Sequence, residues 1–168
     1  MSKPINKNRF GPNPAQLGIG LIEILIVVFI VGLSLASLAG VGNFALKIQQ
    51  RQKQNTIAVF WAQEALEATR AIKDGNWSEL ADWPAETPLH PIKKPSFYAW
   101  ALDNGSETLN GFTRYLTISP VYRDGSFNIA DSGTLDSNTK KITAIVSWND
   151  NGQNRQISLV DYLMNWKP

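Results

Sequence analysis

The hydrophobic and polar positions of the chain first show a long apolar segment near its beginning. After Glu23, no charged residue occurs until position 47. The twenty-three residues at 24–46 would form a helix of roughly 34 Å at about 1.5 Å per residue, which is enough to cross the hydrocarbon core of a bilayer. Because an ionisable group in such a segment is costly and usually has a functional partner, Glu23 is the first candidate for a functional residue.

The positions that follow the apolar segment predict that the helix continues with one apolar face. Residues 47–55 are mostly strong helix formers, without proline or glycine. Apolar residues then recur at helical spacing, at Ile57, Trp61, Ala65, Ala68 and Ile72. Gly75 supplies a stop signal. We therefore expect one helix over residues 19–74, with Gly40 and Gly42 as the places where it could bend or melt.

The remainder of the chain has the alternation of β-strands. Residues 75–96 come first, with four prolines and little periodicity, and predict a long surface connection with one short helical turn at 78–81. Alternating aromatic and β-branched residues between turn signals predict strands at 97–102, 112–118, 141–148 and 155–164. Pro120 is expected to end the second strand. The predicted fold class is α+β, with the long N-terminal helix packed against a C-terminal antiparallel sheet of about four strands as a roll.

Length and charge limit the kinds of binding partner that we expect for this chain. A length of 168 residues allows one domain plus an appended segment. Lys3, Lys7 and Arg9 are the only charges in the first eighteen residues, and the rest of the chain has thirteen basic and fourteen acidic side chains. A nucleic-acid partner is therefore not expected from overall charge. The lysine pairs at 93–94 and 140–141 are interpreted as solvated surface rather than as a strip for single-stranded DNA.

Few residues could carry chemistry. The chain has no cysteine, which excludes disulfides, thiolate metal sites and a cysteine nucleophile. His90 is the only histidine and is interpreted as a solvated loop residue, and no phosphate-binding or hydrolase motif occurs. We therefore expect no enzymatic activity and no cofactor. Asp131 and Asp136, with the neighbouring Ser132, Ser137 and Asn138, match a calcium loop only loosely and form a weak metal candidate.

A short motif precedes the apolar segment and resembles a processing site. The motif consists of Gly18-Ile19-Gly20-Leu21-Ile22-Glu23. It is similar to the processing site of type IV prepilins and type II secretion pseudopilins, in which a short basic leader ends in glycine and glutamate is the fifth residue of the mature chain. The resemblance implies cleavage between Gly18 and Ile19, N-methylation of Ile19, and a role in assembly for Glu23.

The resemblance also implies an organisation for the whole chain. Residues 1–18 would be the prepilin leader, 19–46 the transmembrane and filament-core helix, 47–74 its amphipathic half, 75–96 the connection and 97–168 the β domain. The segment at 62–77 and the strand KKITAIVSW look similar to minor pilins, so a minor subunit is favoured over a major one. The implied partners are a prepilin peptidase, other pilin or pseudopilin subunits and an inner-membrane assembly platform. The implied location is a single-pass membrane protein that later joins a pilus or pseudopilus, with its C-terminal domain outside the cytoplasm.

A physical argument predicts a specific role for Glu23. A buried carboxylate paired with the N-terminal ammonium of a neighbouring helix would fix one stacking register, because an unpaired partner would be costly. We therefore expect Glu23 to pair with the amine of Ile19 in an adjacent subunit.

Three alternatives remain open at the level of the sequence. A membrane-anchored extracytoplasmic binding domain that does not polymerise would use the same apolar helix. A conventional secretory signal would be cut after Ala39, leaving a chain that begins at Gly40. A secreted enzyme would begin there too, but it would need a polar constellation that the sequence lacks.

Overall fold

A computed structural model describes the backbone of residues 14–95 and 99–166, with side chains from Gly20 onward. Helix α1 is Pro14–Gly75, so the single long helix predicted for residues 19–74 is confirmed, and it is helical through Gly40 and Gly42. The helix begins inside the predicted leader, whose residues 1–13 lie outside the described part of the chain. The chain divides after Gln49 into two compact units, which are considered separately below.

The second unit contains the core. The last part of α1 contributes one face of small buried residues, of which Ala58, Ala62 and Ala65 are fully inaccessible to solvent. The sheet contributes larger buried side chains to the same cluster, among them Leu89, Phe112, Leu116, Ile118, Ile142, Val146, Trp148 and Leu163. Alanines on the helix let its backbone approach the sheet closely, while the sheet fills the space with branched residues. The predicted α+β fold is confirmed.

Seven antiparallel strands form the sheet. In chain order they are β1 (Leu89–Lys93), β2 (Trp100–Asn104), β3 (Glu107–Leu109), β4 (Phe112–Arg123), β5 (Ile129–Ala130), β6 (Thr134–Asp150) and β7 (Gln153–Met164). Their spatial order is β2-β1-β4-β6-β7, and β3 and β5 pair with β4 outside this path. The four predicted strands correspond to β2, β4, β6 and β7. Three further strands complete the sheet, and β2 lies beside β1 rather than beside β4 as a simple meander would require.

Strand β4 is longer than predicted. Pro120 does not end it, because pairing with β6 continues to Arg123. The register shifts between Pro120, opposite Lys140, and Val121, opposite Asp136. Proline has no N–H to donate to the ladder, and the irregularity beside it lets the strand continue without that hydrogen bond.

Two Asn-Gly turns close hairpins at one end of the sheet. Asn110 and Gly111 have φ of 52° and 82°, and Asn151 and Gly152 have φ of 53° and 85°. Positive φ at both central residues is the type I′ geometry, which matches the twist of two antiparallel strands and favours Asn-Gly. These turns join β3 to β4 and β6 to β7.

The connection predicted for residues 75–96 is more regular than expected. The short helical turn expected at 78–81 is present as helix α2 (Trp77–Ala81), where the Asn76 side chain accepts a hydrogen bond from the Ser78 N–H as an N-cap. The connection also contains β1, which the sequence analysis missed because proline interrupts it. Trp77 and Trp83 pack against the core cluster and anchor this connection.

The last strand lies at an edge of the sheet. Strand β7 pairs with β6 along its whole length, from Gln153 to Met164. Ile157, Leu159 and Leu163 face the core, whereas Asp161 on the same side accepts a 2.9 Å hydrogen bond from Arg70 of α1. The chain has no cysteine to close this end covalently, so this ladder and its helix contacts hold it.

Candidate functional site

The first compact unit contains a helix whose apolar side chains are exposed on every side. All sixteen large hydrophobic residues from Leu21 to Leu46 have exposed fractions between 51% and 67%. A helix packed against a globular core would show an apolar stripe and a polar face, and this segment has neither. An exposed apolar surface of this size is typical of segments that contact lipid or other proteins.

The same segment is long and apolar enough to span a membrane. Within the described residues, α1 is the one helix that meets the requirements of length and composition, and its apolar window lies near the N-terminus. Signal sequences have these properties too, so the segment fits single-pass anchoring without establishing it.

Glu23 is exposed in this apolar surface, and it is the only acid in a helical segment that otherwise carries no charge from Gly20 to Leu46. The two serines of the segment are internally satisfied, because Ser34 donates to the Ile30 carbonyl at 2.8 Å and Ser37 to the Leu33 carbonyl at 2.9 Å. A carboxylate has no comparable bond to its own helix backbone, since it can only accept. Glu23 is therefore the charged group of this segment, and it has no partner on its own helix backbone.

The predicted processing site lies one turn before Glu23. The backbone of Gly18 and Ile19 is helical. Ile19 and Glu23 are four residues apart, which places them on the same face of α1.

Asp136, one of the two calcium candidates, is already engaged. Its Oδ2 accepts hydrogen bonds from Arg123 Nε at 2.6 Å and Thr139 Oγ1 at 2.7 Å, and its Oδ1 accepts from the Asn138 N–H at 3.0 Å. Asp131 is exposed. No group of three or more His, Asp or Glu side chains placed to hold a metal occurs in the described part of the chain. A calcium ion would have to displace Arg123, so the calcium site stays a prediction.

Asp136 gives an acid-sensitive contribution to stability. The Arg123 guanidinium, the Thr139 hydroxyl and the Asn138 N–H lower the pKa of its carboxyl below the ordinary value. A lowered pKa stabilises the fold above the ordinary carboxyl pKa, and this stabilisation is lost as the pH falls through the folded value.

We expect Asp136→Asn to lower the unfolding free energy at about pH 6 and to matter progressively less toward about pH 2, where the wild-type carboxyl is protonated too. Urea unfolding at several pH values measures the difference. Asp131→Asn is the control and should leave the profile of the wild type unchanged. A constant difference between wild type and Asp136→Asn at all pH values would contradict the assignment.

Arg114 is a buried residue that the sequence analysis missed. Its side chain is 5% exposed and faces the helix between Phe112 and Leu116. The guanidinium donates to the Trp61 carbonyl and to Glu64, both at 3.1 Å, and to Glu107 at 2.5 Å. It also lies 4.9 Å from the centre of a Trp61 ring, in cation–π contact. The signal was present in FTRYLTI, where Arg114 occupies a position in phase with the apolar residues.

Asp150 forms a second ionic contact between α1 and the sheet. Its side chain is 4% exposed and lies 3.3 Å from Arg51 Nε and 3.0 Å from Arg155 Nε. The Asn151 side chain donates a further hydrogen bond at 3.0 Å. A nearly buried carboxylate shared by two arginines leaves one positive charge in excess at this end of the sheet.

Strand β1 and the residue that follows it contain His90 and the lysine pair at 93–94. His90 lies in β1 rather than in a loop, and its Nδ1 is buried without a hydrogen-bond partner in the described structure, which corrects the expectation of a solvated loop histidine. Lys93 lies 4.9 Å from a Trp100 ring centre, and Lys94 is 4.0 Å from Glu79. This arrangement gives no continuous basic strip at residues 93–94.

Comparisons with protein-family models, with curated proteins and with solved structures found no match.

Proposed function

We propose that this chain is a minor type IV pilin or type II secretion pseudopilin, a non-catalytic structural subunit of a helical filament. The observation that carries the proposal is the apolar surface of residues 21–46, exposed on all sides and interrupted by Glu23. The layout of a long apolar N-terminal helix followed by an antiparallel sheet fits this class of protein.

A helix that is apolar on every side can exchange one apolar environment for another. In the bilayer the side chains of residues 21–46 contact lipid, and in a filament core they contact neighbouring helices. Transfer between these environments hardly changes the apolar surface area that is shielded from water, because both surround the helix with hydrocarbon. The subunit can therefore reside in the membrane before it is extracted into the filament.

Glu23 selects the position of each helix among its neighbours. A carboxylate in the bilayer is costly, and in the filament it would meet the new ammonium group at Ile19 of an adjacent subunit. Such a pair contributes register more than net stability, since the desolvation of both charges offsets much of their attraction. Cleavage after Gly18 is therefore coupled to assembly, because it creates the amine that Glu23 requires.

The proposal includes a processing and assembly route. A prepilin peptidase removes residues 1–18 and Ile19 is methylated, after which the inner-membrane platform adds the subunit to other pilins or pseudopilins. The segment at 19–46 forms the filament core, and the β domain is extracytoplasmic, in a pilus or a pseudopilus.

The mature N-terminus tests the proposal directly. In cells that contain a prepilin peptidase, intact-mass spectrometry should find a chain that begins at Ile19 and carries one added methyl group. In cells without the peptidase, the same chain should retain residues 1–18. A mature chain that begins at Gly40 would instead identify a signal peptidase substrate and overturn the proposal.

A membrane-anchored binding domain that does not polymerise is the second candidate. A cleft of about 470 Å³ on the sheet favours it, because a binding domain needs a concave site. The cleft is lined by polar residues of β4, β6 and β7, among them Thr113, Ser147 and Gln156. This alternative predicts that residues 1–18 remain attached and that Glu23 can be replaced without consequence.

A further inference from the structure

Two arginines lie together where helix α1 meets the end of the sheet. Arg51 of α1 and Arg155 of β7 approach the same oxygen of Asp150, with their Nε atoms 3.3 Å and 3.0 Å from Oδ2. Arg155 is the register partner of Trp148, whose side chain belongs to the core cluster, so strand alternation places Arg155 on the side of the sheet that faces the helix. Helix and sheet thus hold two cations close together at this end.

The carboxylate of Asp150 cannot satisfy both arginines. Its side chain is 4% exposed, and it also accepts a 3.0 Å hydrogen bond from the Asn151 side chain. A carboxylate offers about four acceptor positions, whereas two guanidinium groups carry about ten N–H donors. Arg51 and Arg155 are 54% and 41% exposed, so their remaining donors reach the solvent. The two arginines therefore keep one positive charge in excess and N–H groups that can bind a second anion.

The neighbouring part of α1 adds positive charge and no acid. Lys47 and Lys53 flank Arg51 in the sequence. No aspartate or glutamate occurs between Glu23 and Glu64. Basic residues next to a membrane-spanning helix are usually on its cytoplasmic side. With the β domain outside the cytoplasm, as proposed above, these residues depart from that tendency, so their charge needs a local explanation.

The distance along the helix places Arg51 at the surface of the membrane. It follows Leu46, the last residue of the apolar segment, by five positions, which is about 7.5 Å of helix. The polar layer on each side of the hydrocarbon core is roughly 5–8 Å thick. When residues 24–46 lie in the bilayer, the guanidinium of Arg51 is therefore at the depth of the lipid phosphates, and Asp150 holds Arg155 beside it.

We propose that Arg51 and Arg155 together bind the headgroup phosphate of an anionic phospholipid. The phosphate oxygens accept the terminal N–H groups of both guanidiniums, and the lipid and Asp150 then neutralise the two positive charges. A zwitterionic lipid binds more weakly, because its ammonium group is repelled by the same arginines. Such binding holds this end of the sheet at the membrane surface. The inference rests on the membrane placement in the proposed function, and it needs neither cleavage after Gly18 nor filament assembly.

Electron paramagnetic resonance with spin-labelled lipids tests the site on the full chain reconstituted in phosphatidylcholine vesicles. Lipids in contact with the protein give a motionally restricted component, whose size is compared for spin-labelled phosphatidylglycerol and spin-labelled phosphatidylcholine. Wild type should favour phosphatidylglycerol at least about threefold. Arg51→Gln and Arg155→Gln should each lower this preference at least about twofold, because each removes one of the two cations. Each substitution leaves Asp150 with one arginine partner, so the fold should be retained.

Lys53→Gln and Arg70→Gln are the matched controls and should leave the preference close to that of wild type. Lys53→Gln removes the same charge from α1 only two positions from Arg51, but about 200° around the helix. Arg70 is also paired with a carboxylate and is 43% exposed. It lies nineteen positions beyond Arg51, which is about 28 Å further along the helix.

Each result decides a different point. Equal restriction of the two lipids by wild type would overturn this inference and leave the filament proposal intact. An equal loss of preference in Lys53→Gln and Arg51→Gln would show diffuse attraction instead of a paired site and would overturn it too. No restricted component for either lipid would show that the apolar helix is not embedded, which would overturn the membrane placement as well. Circular dichroism checks the fold of each variant, and if one arginine variant unfolds, the other decides the location.

Discussion

Replacement of Glu23 by alanine is expected to lower the recovery of this chain in sheared filaments at least tenfold. In the proposed filament, the substitution would leave the ammonium group at Ile19 of the neighbouring subunit in an apolar core without its partner, and breaking such a buried pair costs about 3–5 kcal/mol. Since about 1.4 kcal/mol corresponds to a tenfold change in an equilibrium constant, even partial relaxation leaves a large defect. The measurement is a quantitative immunoblot of sheared filaments and membranes.

Matched variants separate a specific role of Glu23 from general damage to the helix. Glu23→Asp keeps the charge on a shorter side chain and should retain part of the assembly. Ser34→Ala removes a hydroxyl that already bonds to its own helix and should assemble like wild type. All variants should reach the membrane in equal amounts. Wild-type recovery of Glu23→Ala in filaments would show that the carboxylate does not take part in assembly.

Coassembly distinguishes a pair between chains from a pair within one chain. Ile19 and Glu23 are four residues apart on one helix face, so the mature amine could also meet the carboxylate of its own chain. If the pair forms between chains, a Glu23→Ala chain still offers its amine to wild-type neighbours and should enter mixed filaments better than it assembles alone. If the pair forms within a chain, wild-type subunits should give no such rescue.

Replacement of Arg114 by alanine is expected to destabilise the β domain by about 2–4 kcal/mol. Loss of one partner in a buried ionic network costs about 3–5 kcal/mol. We expect a somewhat smaller loss for Arg114→Ala, because Glu64 is 46% exposed and can regain water. The change also removes the side chain that packs on Trp61. Urea unfolding of the solubilised protein, followed by tryptophan fluorescence, measures the loss.

Arg70 provides the control for this prediction. It also pairs with two carboxylates, Glu67 of α1 and Asp161 of β7, but it is 43% exposed. An exposed pair contributes about 1 kcal/mol or less, because water screens both charges. Arg70→Ala should therefore cost much less than Arg114→Ala, and equal costs would contradict the importance assigned to burial.

The sequence was sufficient where local pattern and tertiary packing agree. The apolar run and the stripe from Ile57 to Ile72 predicted α1, and the alternation in KITAIVSW matches the burial of β6. It was insufficient for β1, because a strand containing Pro91 depends on its partner β2 for its conformation. The end of β4 was misplaced for a similar reason, since long-range pairing with β6 outweighs the local effect of Pro120.

The candidate sites also differ in how far the sequence alone identifies them. Glu23 could be identified from sequence because its environment is local, namely the apolar residues that surround it on one helix. Arg114 needed the structure, since Glu64 and Glu107 reach it from separate elements. The cleft needed the structure as well, because Thr113, Ser147 and Gln156 become neighbours only through strand pairing.

The ion pair of Asp161 on the edge strand β7 affects how strands of other molecules can add to the sheet. A flat, apolar edge invites strands of other molecules to add to the sheet, which leads to aggregates. The charged side chain of Asp161, turned inward and bound to Arg70, makes such addition unfavourable because a new strand would compete with the ion pair. Many copies held side by side by their N-terminal helices could then keep their β domains separate and soluble.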